Sequence, residues 1–206
     1  AGRHIQDLRS QLEQARKDEI TKLRQECNTV GFDEGYKETG ELETAYTKIR
    51  NYLDEKTKTG QSLDAMRYQL LAKDIYREGV KLIHSALEAF KALQSVDIDT
   101  LKRDLVSYKR KLAKIEANSA EARSLESKIK NHEDRIKNYE RHSEVVSQIM
   151  AQVEEIEGVL ENSYLELVDL AQGRGLTTTA ESVNRLEQAV QARRRGRVGE
   201  LLPLAR

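Results

Sequence analysis

The chain has 206 residues with 35 basic and 35 acidic side chains, so its formal charge is zero and the whole exerts no electrostatic pull on nucleic acid or anionic lipid. Charged residues make up 34% and aromatics 5%, with one proline and no tryptophan, which is the usage of long helices with narrow apolar stripes rather than of a mixed compact fold. The lone cysteine, Cys27, excludes an internal disulfide and points to a reducing compartment, and no window of about 18 apolar residues exists to span a bilayer.

The opening AGRHIQ, without a methionine or a signal-peptide core, reads as a fragment of a larger protein. A first helix is expected from Ile5 to Cys27, where Ile5, Leu8, Leu12 and Ala15 recur at helical spacing before a skip to Ile20, Leu23 and Cys27. The three glycines of NTVGFDEGYKETGE, residues 28–41, then suggest a loop or hinge. A second helix over about 41–58 presents Leu42, Tyr46, Ile49 and Leu53 on one line. The third, about 62–94, is apolar over two adjacent lines that include Tyr68, Ile75, Ala72, Tyr76, Val80, Ile83 and Leu87, a breadth that calls for more than one neighbour.

SVDIDT at 95–100 interrupts the pattern and offers Asp97 or Asp99 as an N-cap. Beyond it Leu101, Leu105, Tyr108, Leu112 and Ile115 alternate by four and three, the seam of a coiled coil. ANSAE at 117–121 reads as a reversal, with Asn118 capping and Glu121 closing a capping box. Leu125, Ile129, His132, Ile136 and Tyr139 resume the seam, so antiparallel pairing sets Leu101 near Tyr139 in a projecting hairpin over about 100–140, roughly 30 Å long. The stripe continues from Val146 to Leu167 and needs another partner, for which the third helix is the natural choice. A break at 173–181, with Thr178 and Glu181 as a capping box, leads to a last helix in which Val183, Leu186 and Val190 face Leu167, Tyr164 and Leu160.

The expected fold is therefore all-α, an elongated antiparallel helical bundle formed by 1–99 with 141–206 and carrying a coiled-coil hairpin at 100–140. In architecture this long charged hairpin with satellite helices resembles the phage-shock protein A relatives, which implies a membrane-surface role; the narrow stripe of the first helix departs from their amphipathic anchor.

Residues that carry chemistry are sparse. His4, His84, His132 and His142 lack metal-site spacing, glycines such as those of GRG lack the residues of a phosphate loop, and no serine-nucleophile motif occurs, so no catalytic, cofactor or metal residue is expected and the chain reads as non-enzymatic. Three charged groupings are the candidate interaction surfaces. Lys102, Arg103, Lys109, Arg110, Lys111 and Lys114 set a basic band against the single acid Asp104, suited to phosphates or anionic head groups but without the aromatic platforms that hold single strands. Glu154, Glu155, Glu157, Glu161, Glu166 and Asp169 form an acidic face with no lysine or arginine between them. Arg193, Arg194, Arg195 and Arg197 fall opposite that face in the register that pairs the last two helices, while Leu201 and Leu202 begin an apolar end.

These features point to a scaffold or protein-interaction module that self-associates or docks a protein partner, acting in the cytoplasm or on the cytoplasmic face of a membrane. An anionic membrane surface is the alternative partner, nucleic acid would bind weakly at best because the arginines meet internal acids, and no small-molecule substrate is expected.

Overall fold

The computed structural model describes residues 2–58, 63–172 and 179–200, and side-chain detail is further confined to 3–56, 65–172, 181, 183–192. Six helices account for nearly all of it: α1 Gly2–Thr29, α2 Asp33–Lys58, α3 Leu63–Gln94, α4 Ile98–Leu112, α5 Ala120–Ala171 and α6 Thr179–Glu200. The protein is an all-α helical bundle. Two compact units divide it, one made of 1–84 with 150–206 and the other of Ser85–Ile149.

In the first unit, α1 and α2 form an antiparallel pair joined by a turn of three residues. The Phe32 N–H donates to the Cys27 carbonyl at 2.8 Å and the Gly31 N–H to the Asn28 carbonyl at 3.2 Å, the paired bonds of a Schellman ending, with Gly31 at φ 73°. The expected loop over 28–41 is thus corrected to a short turn, because only Gly31 takes the left-handed conformation and α2 starts at Asp33. Gly35 and Gly40 are instead places of close approach. A Cβ on Gly35 would overlap the Phe32 ring and lie 3.0 Å from Cys27 Sγ, and one on Gly40 would lie 3.2 Å from the Arg24 guanidinium. Cys27 is buried.

The core of this unit takes Ile20, Leu23 and Phe32 from the α1–α2 pair, Leu42, Tyr46, Ile49 and Leu53 from α2, and Tyr68, Ala72, Ile75, Tyr76, Val80 and Ile83 from the wide face of α3. From α5 it takes Met150, Val153, Ile156, Leu160 and Leu167, and from α6 Val183 and Leu186. Tyrosine hydroxyls find backbone partners: the fully buried Tyr68 donates to the Ser163 carbonyl at 3.0 Å and the half-buried Tyr52 to the Leu167 carbonyl at 3.2 Å. Arg185 meets Glu166 at 3.1 Å, one residue from the register expected for α5 and α6. The expected capping residue Thr178 lies outside the described residues.

In the second unit, α4 and the beginning of α5 run antiparallel. Leu101 and Leu125 are buried and the remaining seam positions, from Leu105 to Ile115 and from Ile129 to Tyr139, are half-buried between exposed neighbours. The ring of His132 meets Tyr108 edge-on at 5.1 Å and Lys109 pairs with Glu133 at 2.8 Å, which fixes the register. Asp97 caps α4, its carboxylate accepting from the Thr100 N–H at 3.0 Å and from the Thr100 hydroxyl at 2.8 Å. At the reversal the cap is Ser119, whose Oγ accepts from the Ala122 N–H at 3.0 Å. Asn118 instead supplies the left-handed turn at φ 66°, so the expected Asn118–Glu121 capping box is corrected: the box position belongs to Ala122, which has no acceptor side chain.

The glycines give a test of the packing. Gly35→Ala is expected to lower unfolding free energy by about 1–3 kcal/mol through overpacking, whereas Gly158→Ala, where an added Cβ meets nothing within 4 Å, should raise it by about 0.5–1 kcal/mol. Chemical denaturation of both variants checks the pair, and equal effects of one sign would contradict the assignment.

Candidate functional site

The helical start of α2 changes what its charged residues do. On a helix, Glu34, Lys37, Glu38 and Glu41 recur every three or four residues and share one face. Glu157 of α5 comes against that face, and carboxylate oxygens of Glu38, Glu41 and Glu157 all lie within 4.8 Å of one another. Glu38 is 1% exposed. Lys37 pairs with Glu38 Oε1 at 3.0 Å and with Glu41 Oε2 at 3.2 Å, yet Glu38 Oε2 is buried with no hydrogen-bond partner.

Crowded carboxylates disfavour their own charges. Desolvation, then hydrogen bonding of its protonated form to Glu38 and the charges of Glu38, Glu41 and Glu161, push the Glu157 pKa up to about 7. Burial together with Glu154 and Glu38 raises that of Glu34 as well. Lys37 moves the other way, held protonated well above the usual lysine range by its bonds to Glu38 and Glu41.

A second polar cluster joins α1, α2 and α3. The Arg16 guanidinium, its side chain 11% exposed, pairs with Glu13 and Glu43 and donates to the Tyr76 hydroxyl at 3.0 Å. Arg50 closes on Glu13 from α2. The rings of Tyr46 and Tyr76 stack at 4.4 Å, with Arg16 over both. The Tyr76 hydroxyl donates to Glu43 at 2.8 Å, and burial followed by the Glu43 charge holds the phenol far above its ordinary pKa. This arrangement fastens three helices and leaves no nucleophile exposed.

The basic band of α4 divides. Lys109 turns to Glu133, and Lys102 reaches Glu140 at 4.0 Å. Lys102, Arg103, Arg110, Lys111 and Lys114 line one shallow surface around Val106 and Ser107, and among the described residues Arg110, Lys111 and Lys114 make no salt bridge.

The acidic stretch of α5 divides too. Glu154, Glu155, Glu161 and Asp169 are exposed, Glu166 pairs with Arg185, and Glu157 alone enters the carboxylate cluster. The backbone of α6 carries Arg193, Arg194, Arg195 and Arg197, whose side chains lie outside the described residues, as do Leu201 and Leu202 entirely. The sequence reading missed Glu38 and Glu41; their three-residue spacing within a run of acids was the available signal, hidden by the assignment of 28–41 to a loop. Compared with protein-family models, with curated proteins and with solved structures, the chain matches none.

The raised pKa of Glu157 has a definite sign. Its folded value of about 7 exceeds the ordinary 4.5, so between them the folded state holds the extra proton and the stabilising contribution is lost as pH rises through about 7. The thermal midpoint in metal-free buffer is expected to fall from about pH 5 to about pH 8, more steeply than in Glu157→Gln. Parallel curves for the two proteins would remove Glu157 as the cause.

Proposed function

We propose that the protein is a non-enzymatic helical scaffold that self-associates through the amino-terminal part of α1. One observation carries the reading: residues 3–12 of α1 are exposed throughout, and Ile5, Leu8 and Leu12 stand 53%, 46% and 66% exposed although they form a regular apolar stripe. With spacings of three and four, such a stripe matches the seam by which one amphipathic helix packs on another. An isolated helical segment of about ten residues is marginal in water, so a second helix would stabilise it as well as cover it. The same stripe on a second copy is the occupant that the chain itself supplies, in the isologous manner of most homodimers.

Analytical ultracentrifugation across a wide concentration range tests this. Concentration-dependent association that Leu8→Glu with Leu12→Glu abolishes, at unchanged helicity, is the expected result. A protein that stays monomeric at every concentration, or whose association is indifferent to both substitutions, sinks the reading.

The surface of α4 favours a second reading, attachment to an anionic lipid surface from the cytoplasmic side. Arg110, Lys111 and Lys114 lack salt bridges among the described residues and stand beside Val106, 50% exposed, so charge attraction and a shallow apolar contact coincide. No helix among the described residues is long and apolar enough to cross a membrane. Co-sedimentation with phosphatidylserine vesicles at low salt, weakened by added salt and by Arg110→Glu with Lys111→Glu, is the expected outcome; its absence at low salt eliminates this reading.

A further inference from the structure

We infer that Glu38, Glu41 and Glu157 bind a hard divalent cation, calcium in preference to magnesium, which ties the amino-terminal part of α2 to α5. The geometry comes first. Three carboxylate oxygens from two helices already lie within 4.8 Å of one another, close enough to turn toward one shared cation at Ca–O distances of about 2.4 Å. Calcium accepts irregular sets of oxygen ligands, whereas magnesium demands near-ideal octahedral geometry and gives up its water reluctantly. The ligand set is oxygen alone, without imidazole or thiolate, and this favours a hard cation over zinc.

The second observation is independent of the clustering. Glu38 is 1% exposed and its Oε2 is buried without any hydrogen-bond partner, although its other oxygen is satisfied by Lys37. A carboxylate oxygen withdrawn from water requires a positive partner or a donor, and the Glu157 carboxyl, within hydrogen-bonding reach of Glu38, can be that donor only while it carries a proton. Lys37 does not meet that requirement: its side chain is 63% exposed, it reaches the cluster through Glu38 Oε1 and Glu41 Oε2, and no salt bridge joins it to Glu157.

Position adds rigidity. Glu38 and Glu41 project from one helix face, Glu38 is fixed by burial, and Glu157 stands beside Ile156, itself fully buried. The half-buried Glu41 and Glu157 leave one side of the cluster facing solvent, from which water would complete the coordination that calcium requires. The cation's role is structural, since it neutralises a crowded interface between two helices.

The experiment uses the full chain, treated with chelator, at about pH 8 where free carboxylates are ionised. Calorimetric titration with calcium chloride should show one equivalent per chain with a dissociation constant of roughly 10⁻⁵ to 10⁻³ M and weaker binding of magnesium, together with a rise in thermal midpoint. Glu157→Gln removes a ligand but also relieves repulsion, so this variant should be more stable than the wild type without calcium and lose at least about ten-fold in affinity. Glu144→Gln, an exposed acid elsewhere on α5, should bind as the wild type does. Absence of saturable binding up to about five millimolar calcium, beyond the weakest class of protein sites, overturns the inference. So does equal binding by Glu157→Gln, which would assign the heat to diffuse acidic charge.

Discussion

Arg16 is the group on which the arrangement of α1, α2 and α3 depends. Its guanidinium sits largely withdrawn from water, where an unpaired charge would be strongly unfavourable, and the protein surrounds it with Glu13, Glu43, the Tyr76 hydroxyl and two aromatic faces. Each partner comes with a directional demand, so the three helices are held in one register rather than merely pressed together. Arg16 also marks where α1 joins the core: Ile20, Leu23 and Cys27 after it are buried, whereas Ile5, Leu8 and Leu12 before it are not. The apolar face of α2 is meanwhile divided between α3, on which Tyr46 stacks, and α5, where the Tyr52 ring lies edge-on to Tyr164 and its hydroxyl bonds the Leu167 carbonyl. Among the described residues, the first turns of α1 are left with an apolar line and no cover.

Periodicity made most of the helical architecture legible. The α4–α5 seam could be read because a strict alternation of four and three places Leu101, Leu105 and Tyr108 on one line, and nothing else in that charged stretch competes for burial. The breadth of the apolar face on α3 likewise foretold several neighbours, and the structure gives it partners that include Tyr46 on α2 and the Ser163 carbonyl on α5. In α1 the same periodicity identified the helix but not the cover of its first turns, since a stripe records what a helix face is able to bury and not whether a neighbour is present.

Glycine was the harder residue to interpret. Gly31, Gly35 and Gly40 look alike in sequence as helix breakers, but only Gly31 needs a positive φ; the others are small because Phe32, Cys27 and Arg24 occupy the space a side chain would fill. Reading all three as flexible concealed the helical spacing of Glu38 and Glu41, and with it the cluster completed by Glu157. More than a hundred residues separate the two halves of that cluster, and only the packing of α5 beside α2 unites them. Ser119 illustrates the same limit on a small scale, because two adjacent capping residues are distinguished by which one the backbone turns to the left-handed region.

The two polar clusters of the first unit show opposite ways of placing charge between helices. Around Arg16, acids and bases alternate so that burial and attraction support each other. Around Glu38, three acids share a space with a single lysine held at its edge, and the imbalance appears as a raised Glu157 pKa and an orphaned oxygen. A fold that needed only adhesion at this contact would gain by an apolar or amide residue at position 157, because repulsion between carboxylates opposes docking of α5 on α2. A proton relieves that repulsion without reaching all three acids, whereas a divalent cation removes it at every one of them and adds bonds between the helices. The carboxylate cluster therefore opposes docking of α5 on α2 when empty and supports it when filled, which makes this part of the junction responsive to its ionic surroundings in a way that the Arg16 junction is not.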